Sequence, residues 1–388
     1  MRATPVRWTA LVVGLVAGCA SVGDGDFDWA REGRLQTGGR LQVQWVERLT
    51  PEQEGPYIPV EHATAALHPA ADRVYIGSSQ GVLHALTASG REVWRYAAGA
   101  RIWAAPALDR NRGEIYLAAE DGSLHALKKD GTLRWKDSAG DTVSQPPVLA
   151  PDVVYVVTDA DRVLAFARED GSLLWDYARE VPEGFSVTTR AGLLLLEEQL
   201  ITGFTDGAVV SLDPTEGDVL WERDTSMDLD EPTGSQPVFR DVDTTPVLAN
   251  GTLYVASFAA GLYALDPRNG SVRWRDGELE GIVGITFDPS RRQLYVASAD
   301  RGILAVGVPD RQIRWRYPIL RGSPSRPVLH RGLVLVGESQ GSLLALSADG
   351  GKEVSRLEAG TGFNAVPTLA HARGFVLSNG GTLFAFTL

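Results

Sequence analysis

From about residue 60 to the C-terminus the chain alternates short apolar runs with polar turn residues, and the whole pattern recurs every forty-odd residues. Aligned, the units end GVLHALTASGREVW, GSLHALKKDGTLRW, DRVLAFAREDGSLLW, GAVVSLDPTEGDVLW, GLYALDPRNGSVRW and RGILAVGVPDRQIRW. They close on Trp94, Trp135, Trp175, Trp221, Trp274 and Trp315, and a seventh unit carries Ser355 instead. Each closing residue follows a small one by nine or ten positions: Ala85, Ala126, Ala165, Ser211, Ala264, Ala305 or Ala345. Within a unit, TTPVLAN, TLYVASF, GLYALD and SVRWRD are runs rich in Val, Leu, Tyr and Trp. Such residues suit strands, and the Gly, Asn and Asp between them suit tight turns. Asp121-Gly122, Asp130-Gly131, Asp170-Gly171 and Asn250-Gly251 fit positive-φ turn positions. No helical period persists beyond the N-terminal leader. Four antiparallel strands per repeat, repeated radially, predict an all-β propeller.

The small residue is expected to let neighbouring blades approach, with the tryptophan covering the gap between them. The last unit (VPTLAHA, GFVLSN, GTLFAFTL) supplies three strands, and GGRLQVQW, Gly38 to Trp45, reads as an unpartnered fourth. Joining them makes an eighth blade and removes a free sheet edge. Eight blades over residues 38–388 is the expectation. Seven blades with an irregular N-terminal strand is the alternative.

The leader, MRATPVRWTALVVGLVAGCAS, has Arg2 and Arg7 before an apolar run from Ala10 to Ala17. It is too short to span a bilayer and reads as a secretory signal over residues 1–18. Val16-Ala17-Gly18-Cys19 resembles a bacterial lipobox, which makes Cys19 the lipidated first residue of the mature chain. Residues 19–37 are then the lipidated N-terminus and a polar tether. Cys19 is the single cysteine, so no disulfide forms within the chain. Ala20 in place of an aspartate after the cysteine points to the outer membrane. The net charge of −12 argues against nonspecific nucleic-acid binding.

Candidate chemistry is sparse. His84 and His125 recur at one repeat position, and His62, His68, His330 and His371 have no metal-site spacing. Asp161, Asp206 and Asp300 fall in turns, where acidic residues need no further cause. No GxSxG elbow, P-loop or basic-aromatic stripe is present. The AxDxxxGxxxW repeat resembles that of quinone-dependent dehydrogenases, which as a family use quinone, Ca²⁺ and often an adjacent-cysteine disulfide. This chain has no cysteine pair and is shorter, so no enzyme activity, cofactor or metal is expected. The quinone-dependent dehydrogenase remains a rival reading.

Lipobox, acidic tether and quinoprotein-like repeats together resemble the BamB family of outer-membrane assembly lipoproteins. The most specific stretch is DVDTTPVLANGTLYVASFAAGLYALDPRNGSVRW, Asp241 to Trp274. The resemblance implies a noncatalytic scaffold, held by lipid to the periplasmic face of the outer membrane. It implies binding to the barrel-inserting subunit BamA, and contact with unfolded outer-membrane protein substrates. In that family an arginine segment and a DVD run form the partner-binding patch. Here SVTTRAG supplies Arg190, with Val187 and Thr189 where the family has leucines, and the second run supplies Asp241 and Asp243. An exposed arginine beside two aspartates would fix a partner's orientation through charge-assisted contacts. The alternative is that the three only tie adjacent loops together. A longer connection, SMDLDEPTGSQPVFR ending at Arg240, adds Met227 and Phe239 as contact or loop-pinning residues. A propeller scaffold of another envelope complex is the second rival.

Overall fold

The computed structural model describes residues 40–51, 60–68, 70, 72–181, 190–229 and 239–388. Among them lie eight sheets of four antiparallel strands each. Seven are consecutive in sequence, from Ala66–Ala97 (blade 1) through Val328–Glu358 (blade 7). The eighth joins Gln42–Arg48 to Thr382–Thr387, Arg373–Leu377 and Thr368–Ala370. Gln42 pairs with Thr387 and Arg48 with Thr382, so the ring closes as the repeat pattern predicts. The Asp-Gly turns also behave as expected: Gly122, Gly131 and Gly171 have φ of 79°, 84° and 83°, and Asn250 has 51°.

The first strands contact one another around the axis. The antiparallel order then sends two kinds of loop to opposite faces. Turns between second and third strands share one face with the linkers between blades. Hairpins joining strands one to two and three to four share the other.

The core is divided among the blade junctions. Eight apolar clusters occur among the described residues, each shared by two neighbouring blades. The junction of blades 8 and 1 sets Leu67, Val74 and Ile76 against Phe375, Leu377 and Leu383, with Trp45 packed on them. No blade could bury these faces alone, and at roughly 25 cal/mol per Å² their burial drives closure.

The repeated tryptophan does two things. Trp94, Trp135, Trp175 and Trp315 each sit 5.8 Å, centroid to centroid, from a second-strand tyrosine of the same blade. The small third-strand residue lies between: Ala85 pairs with both Tyr75 and Trp94. Its size therefore lets two rings meet over it, a within-blade role that the repeat alone did not suggest. The same indole then reaches the next blade. Trp45, Trp94, Trp135, Trp175, Trp221 and Trp315 donate from Nε1 to the carbonyls of Ala88, Lys129, Arg168, Pro214, Pro267 and Ala348 at 2.9–3.1 Å. Their rings lie against glycines of those hairpins, where a Cβ on Gly90, Gly131, Gly171, Gly217, Gly270 or Gly351 would fall 2.4–3.0 Å from the indole.

Two junctions depart from the rule. Opposite Trp274 the glycine position holds Arg311, at φ 61°. Opposite Leu41, which occupies that position in blade 8, the tryptophan is replaced by Ser355, whose Oγ accepts from the Leu41 N–H at 3.3 Å. A leucine side chain leaves no room for an indole there.

Every fourth strand bulges by one residue just before its tryptophan or Ser355. The extra residue turns two consecutive side chains outward, so Leu173 and Leu174, and Val219 and Leu220, all stand 46–51% exposed.

His125 shows how the repeat uses a polar group inside. It is buried, with Nδ1 2.8 Å from the Tyr96 hydroxyl and Nε2 2.8 Å from Ser123 Oγ. Ser123 donates its own proton to Asp121 at 2.6 Å, which makes Nε2 the imidazole donor and leaves Nδ1 to accept from Tyr96. Burial, helped by the Lys136 charge, lowers its pKa from 6.5 to about 4.

Two outcomes follow. A left-handed backbone penalises any residue with a Cβ, so Arg311→Gly should raise stability by about 0.5–1 kcal/mol in urea unfolding, net of glycine's greater unfolded freedom. His125 is neutral when folded, so its contribution is complete above pH 6.5 and is lost as pH falls towards 4. Between those limits the wild type should lose about 3 kcal/mol more stability than His125→Gln.

Candidate partner-binding site

Arg190 lies in the linker that enters blade 4 at Leu194–Leu195, and Asp241 and Asp243 in the linker that enters blade 5 at Val247–Ala249. Both linkers emerge on the same face as the turns between second and third strands. Val187 and Thr189 lie outside the described residues.

The Arg190 side chain is only 12% exposed. Its Nε and Nη2 donate to the Asp159 carbonyl at 3.2 and 3.0 Å, and Nε is 3.9 Å from Asp161 Oδ1. Asp161 is buried in turn and accepts from the Thr205 amide at 3.2 Å and from the Thr205 hydroxyl. One arginine thus clasps the second turns of blades 3 and 4. Burial raises the pKa of Asp161 and Asp159, and the Arg190 charge opposes that rise. Asp161 replaces the glycine that precedes the third strand in most units, and it takes the left-handed conformation at φ 54°. That departure from the repeat was the available signal for a residue doing more than turning the chain.

The second linker is packed more deeply. Asp241 and Asp243 are 2% and 6% exposed, so they do not form the open charge pair expected from sequence. The Asp241 carbonyl accepts from Phe258 N–H at 2.8 Å, and Val242 N–H donates to the Phe204 carbonyl at 3.0 Å. Val242 fills the space beside Gly203, where a Cβ would come 2.3 Å from its side chain. Thr244 Oγ1 accepts from Ala256 N–H at 2.9 Å. Thr245 Oγ1 accepts from Gly192 N–H at 3.0 Å, which joins the two linkers directly. The sequence-nominated segments, 190–192 and 241–245, therefore form one fastened surface across blades 4 and 5, and the aspartates shape it from beneath.

Two large apolar side chains stand far out on this face. Met227, in the linker between blades 4 and 5, is 78% exposed, and Leu320, in that between blades 6 and 7, is 82% exposed. Phe239 packs edge-on against Phe258 with centroids 5.8 Å apart, the loop-pinning role. Among the described residues no cluster of three or more His, Cys, Asp or Glu could hold a metal ion.

A family model described as outer membrane protein assembly factor BamB matches residues 36–129, 111–317 and 300–388. Relatives of that name include those of Yersinia pestis, 24% identical over 62% of this chain and 60% of the relative, and Escherichia coli, 28% over 48% and 47%. The chain thus spans less than two thirds of the length of these relatives. That of Burkholderia pseudomallei is 27% identical over 81% of this chain and 82% of its own. The crystal structure of BamB from Moraxella catarrhalis superposes with a TM-score of 0.74 at 22% identity, covering 90% of this chain and all of that one. A quinohemoprotein alcohol dehydrogenase from Comamonas testosteroni gives 0.66 at 15% identity over 90% of this chain and 76% of its own, a likeness of fold alone. With its repeats, its closure and its linker pair all inside the matched ranges, the chain belongs to the outer membrane protein assembly factor BamB family.

Proposed function

We propose that the protein is a noncatalytic scaffold of outer-membrane β-barrel assembly, anchored through lipid at Cys19 to the periplasmic face of the outer membrane. It holds a BamA-type barrel-inserting subunit on the linker face of blades 4 and 5. The observation that carries this reading is the fastening of the 190–192 and 241–245 segments into one surface beside exposed Met227. A preformed surface with an apolar anchor binds without first ordering its loops. Arg190, Asp241 and Asp243 act by holding the two linkers in place, while Met227 meets the partner. Unfolded substrates meet the outer strand edges through Leu173, Leu174, Val219 and Leu220. The bulge there interrupts the hydrogen-bond ladder, so side chains make the contact rather than a continuous added strand.

Affinity purification from detergent-solubilised envelopes tests the partner and the surface together. Met227→Glu and Arg190→Glu should each cut recovery of the barrel-inserting subunit about tenfold or more, a loss of about 1.4 kcal/mol. Met227→Glu should melt with the wild type. Asp243→Ala should lose about 1–3 kcal/mol of stability because it removes a buried polar group from its surroundings. Full recovery with folded Met227→Glu/Arg190→Glu overturns the surface. Recovery of a different envelope complex, or dye reduction when quinone and Ca²⁺ are supplied, overturns the function.

A further inference from the structure

We propose that a slot between blades 1 and 2, on the hairpin face opposite Arg190, docks an acidic polypeptide segment that also carries apolar side chains. The proposal does not depend on which partner occupies the linker face. The slot encloses about 540 Å³, with Tyr75, Leu108 and Ile115 along its floor and Arg110, Lys128 and Lys129 at its rim.

Charge distribution sets this place apart. The chain carries −12 overall and has only four lysines, of which Lys128 and Lys129 line the slot together while Lys136 and Lys352 lie outside it. The carboxylates lining the slot are already engaged. Asp109 and Glu114 pair with buried Arg168, and Glu114 also pairs with Arg134 at 2.6 Å. Burial opposes the Asp109 charge, yet hydrogen bonds from Arg112, Arg168 and Asn111 hold its pKa at about 2. Asp130 accepts from the amide and hydroxyl of Thr132. Arg112 is taken by Asp152 at 2.9 Å. Among the described residues Arg110, Lys128 and Lys129 make no ion pair within 4.0 Å, and only Lys128 feels a slot carboxylate, that of Asp130, so the rim keeps an excess of positive charge over an apolar floor.

The rim is held in advance of any ligand. Trp94 of blade 1 donates to the Lys129 carbonyl at 3.1 Å and packs on Gly131, and Arg110 reaches back to the Leu67 carbonyl at 3.1 Å. Both contacts cross the blade junction and spare a partner the entropy of ordering the lysine hairpin. The floor distinguishes among anions. A phosphate has nothing to place on Tyr75, Leu108 and Ile115, and a flat bilayer surface cannot reach a floor set between two hairpins. A segment alternating acidic with apolar residues supplies both contacts.

Fluorescence anisotropy on the full-length mature protein tests this with a labelled peptide of alternating glutamate and leucine. Binding should occur, weaken with added salt, and fall about tenfold or more in Lys128→Glu/Lys129→Glu. Lys136→Glu/Lys352→Glu makes the same change in net charge outside the slot and should leave binding unaltered. The counterpart peptide with lysine for glutamate should not bind. Absence of binding, or equal loss in both double variants, overturns the site. Competition by inorganic phosphate at equal concentration, or equal retention on vesicles of anionic phospholipid, overturns the polypeptide as its occupant.

Discussion

The ring depends on one contact made again and again: the indole of one blade laid against the glycine hairpin of the next, with its N–H on that hairpin's main chain. The contact makes two demands on a single residue. The hairpin needs a left-handed conformation, and the indole needs a backbone with no Cβ, so glycine at the fourth position before the tryptophan answers both. The two departures differ: Trp274 stays although Arg311 takes the glycine position opposite it, whereas at the junction of blades 7 and 8 both partners change. Leu41 stands opposite Ser355, and a backbone-to-hydroxyl hydrogen bond takes the place of ring packing. Trp45 does for the junction of blades 8 and 1 what its counterparts do elsewhere, so the terminal blade is held like any internal one.

Period, strand content and closure were legible in the sequence because each has a local signature: alternation, turn residues, and a tryptophan at fixed spacing. Contacts between repeats were not. The pairing of Ala85 with both Tyr75 and Trp94 requires the register of three strands, and spacing alone suggested only close blade approach. Asp161 was legible as a turn residue, but its bonds go to Thr205, forty-four positions away in the next blade. Asp241 and Asp243 show the same limit more sharply. Polar residues in a linker read as exposed, yet burial there is decided by what packs around the linker, here Val242 against the bare backbone of Gly203.

The tryptophan also explains where variation is tolerated. It takes only a carbonyl from its partner residue, and the side chains at that position are Ala88, Lys129, Arg168, Pro214, Pro267 and Ala348. Arg168 uses the freedom inward, where it ties Asp109 and Glu114 of blade 2 to the carbonyls of Ala150 and Pro151 in blade 3. Lys129 uses it outward, as free positive charge at the rim of a slot.

The two faces of the ring are therefore built under different constraints. On the hairpin face six of the loops joining third to fourth strands keep a glycine and a carbonyl in place for the neighbouring indole, which leaves side-chain charge as the quantity free to change. Linkers on the other face carry no such obligation and can lengthen, as the stretch ending at Arg240 does, provided their ends are secured. Gly192 to Thr245 and Arg190 to Asp159 are those securing bonds. A propeller so made presents a rigid, electrostatically tuned surface on one side and a remodelled, apolar-tipped one on the other. Because the two faces answer to different constraints, either can be altered without distorting the other.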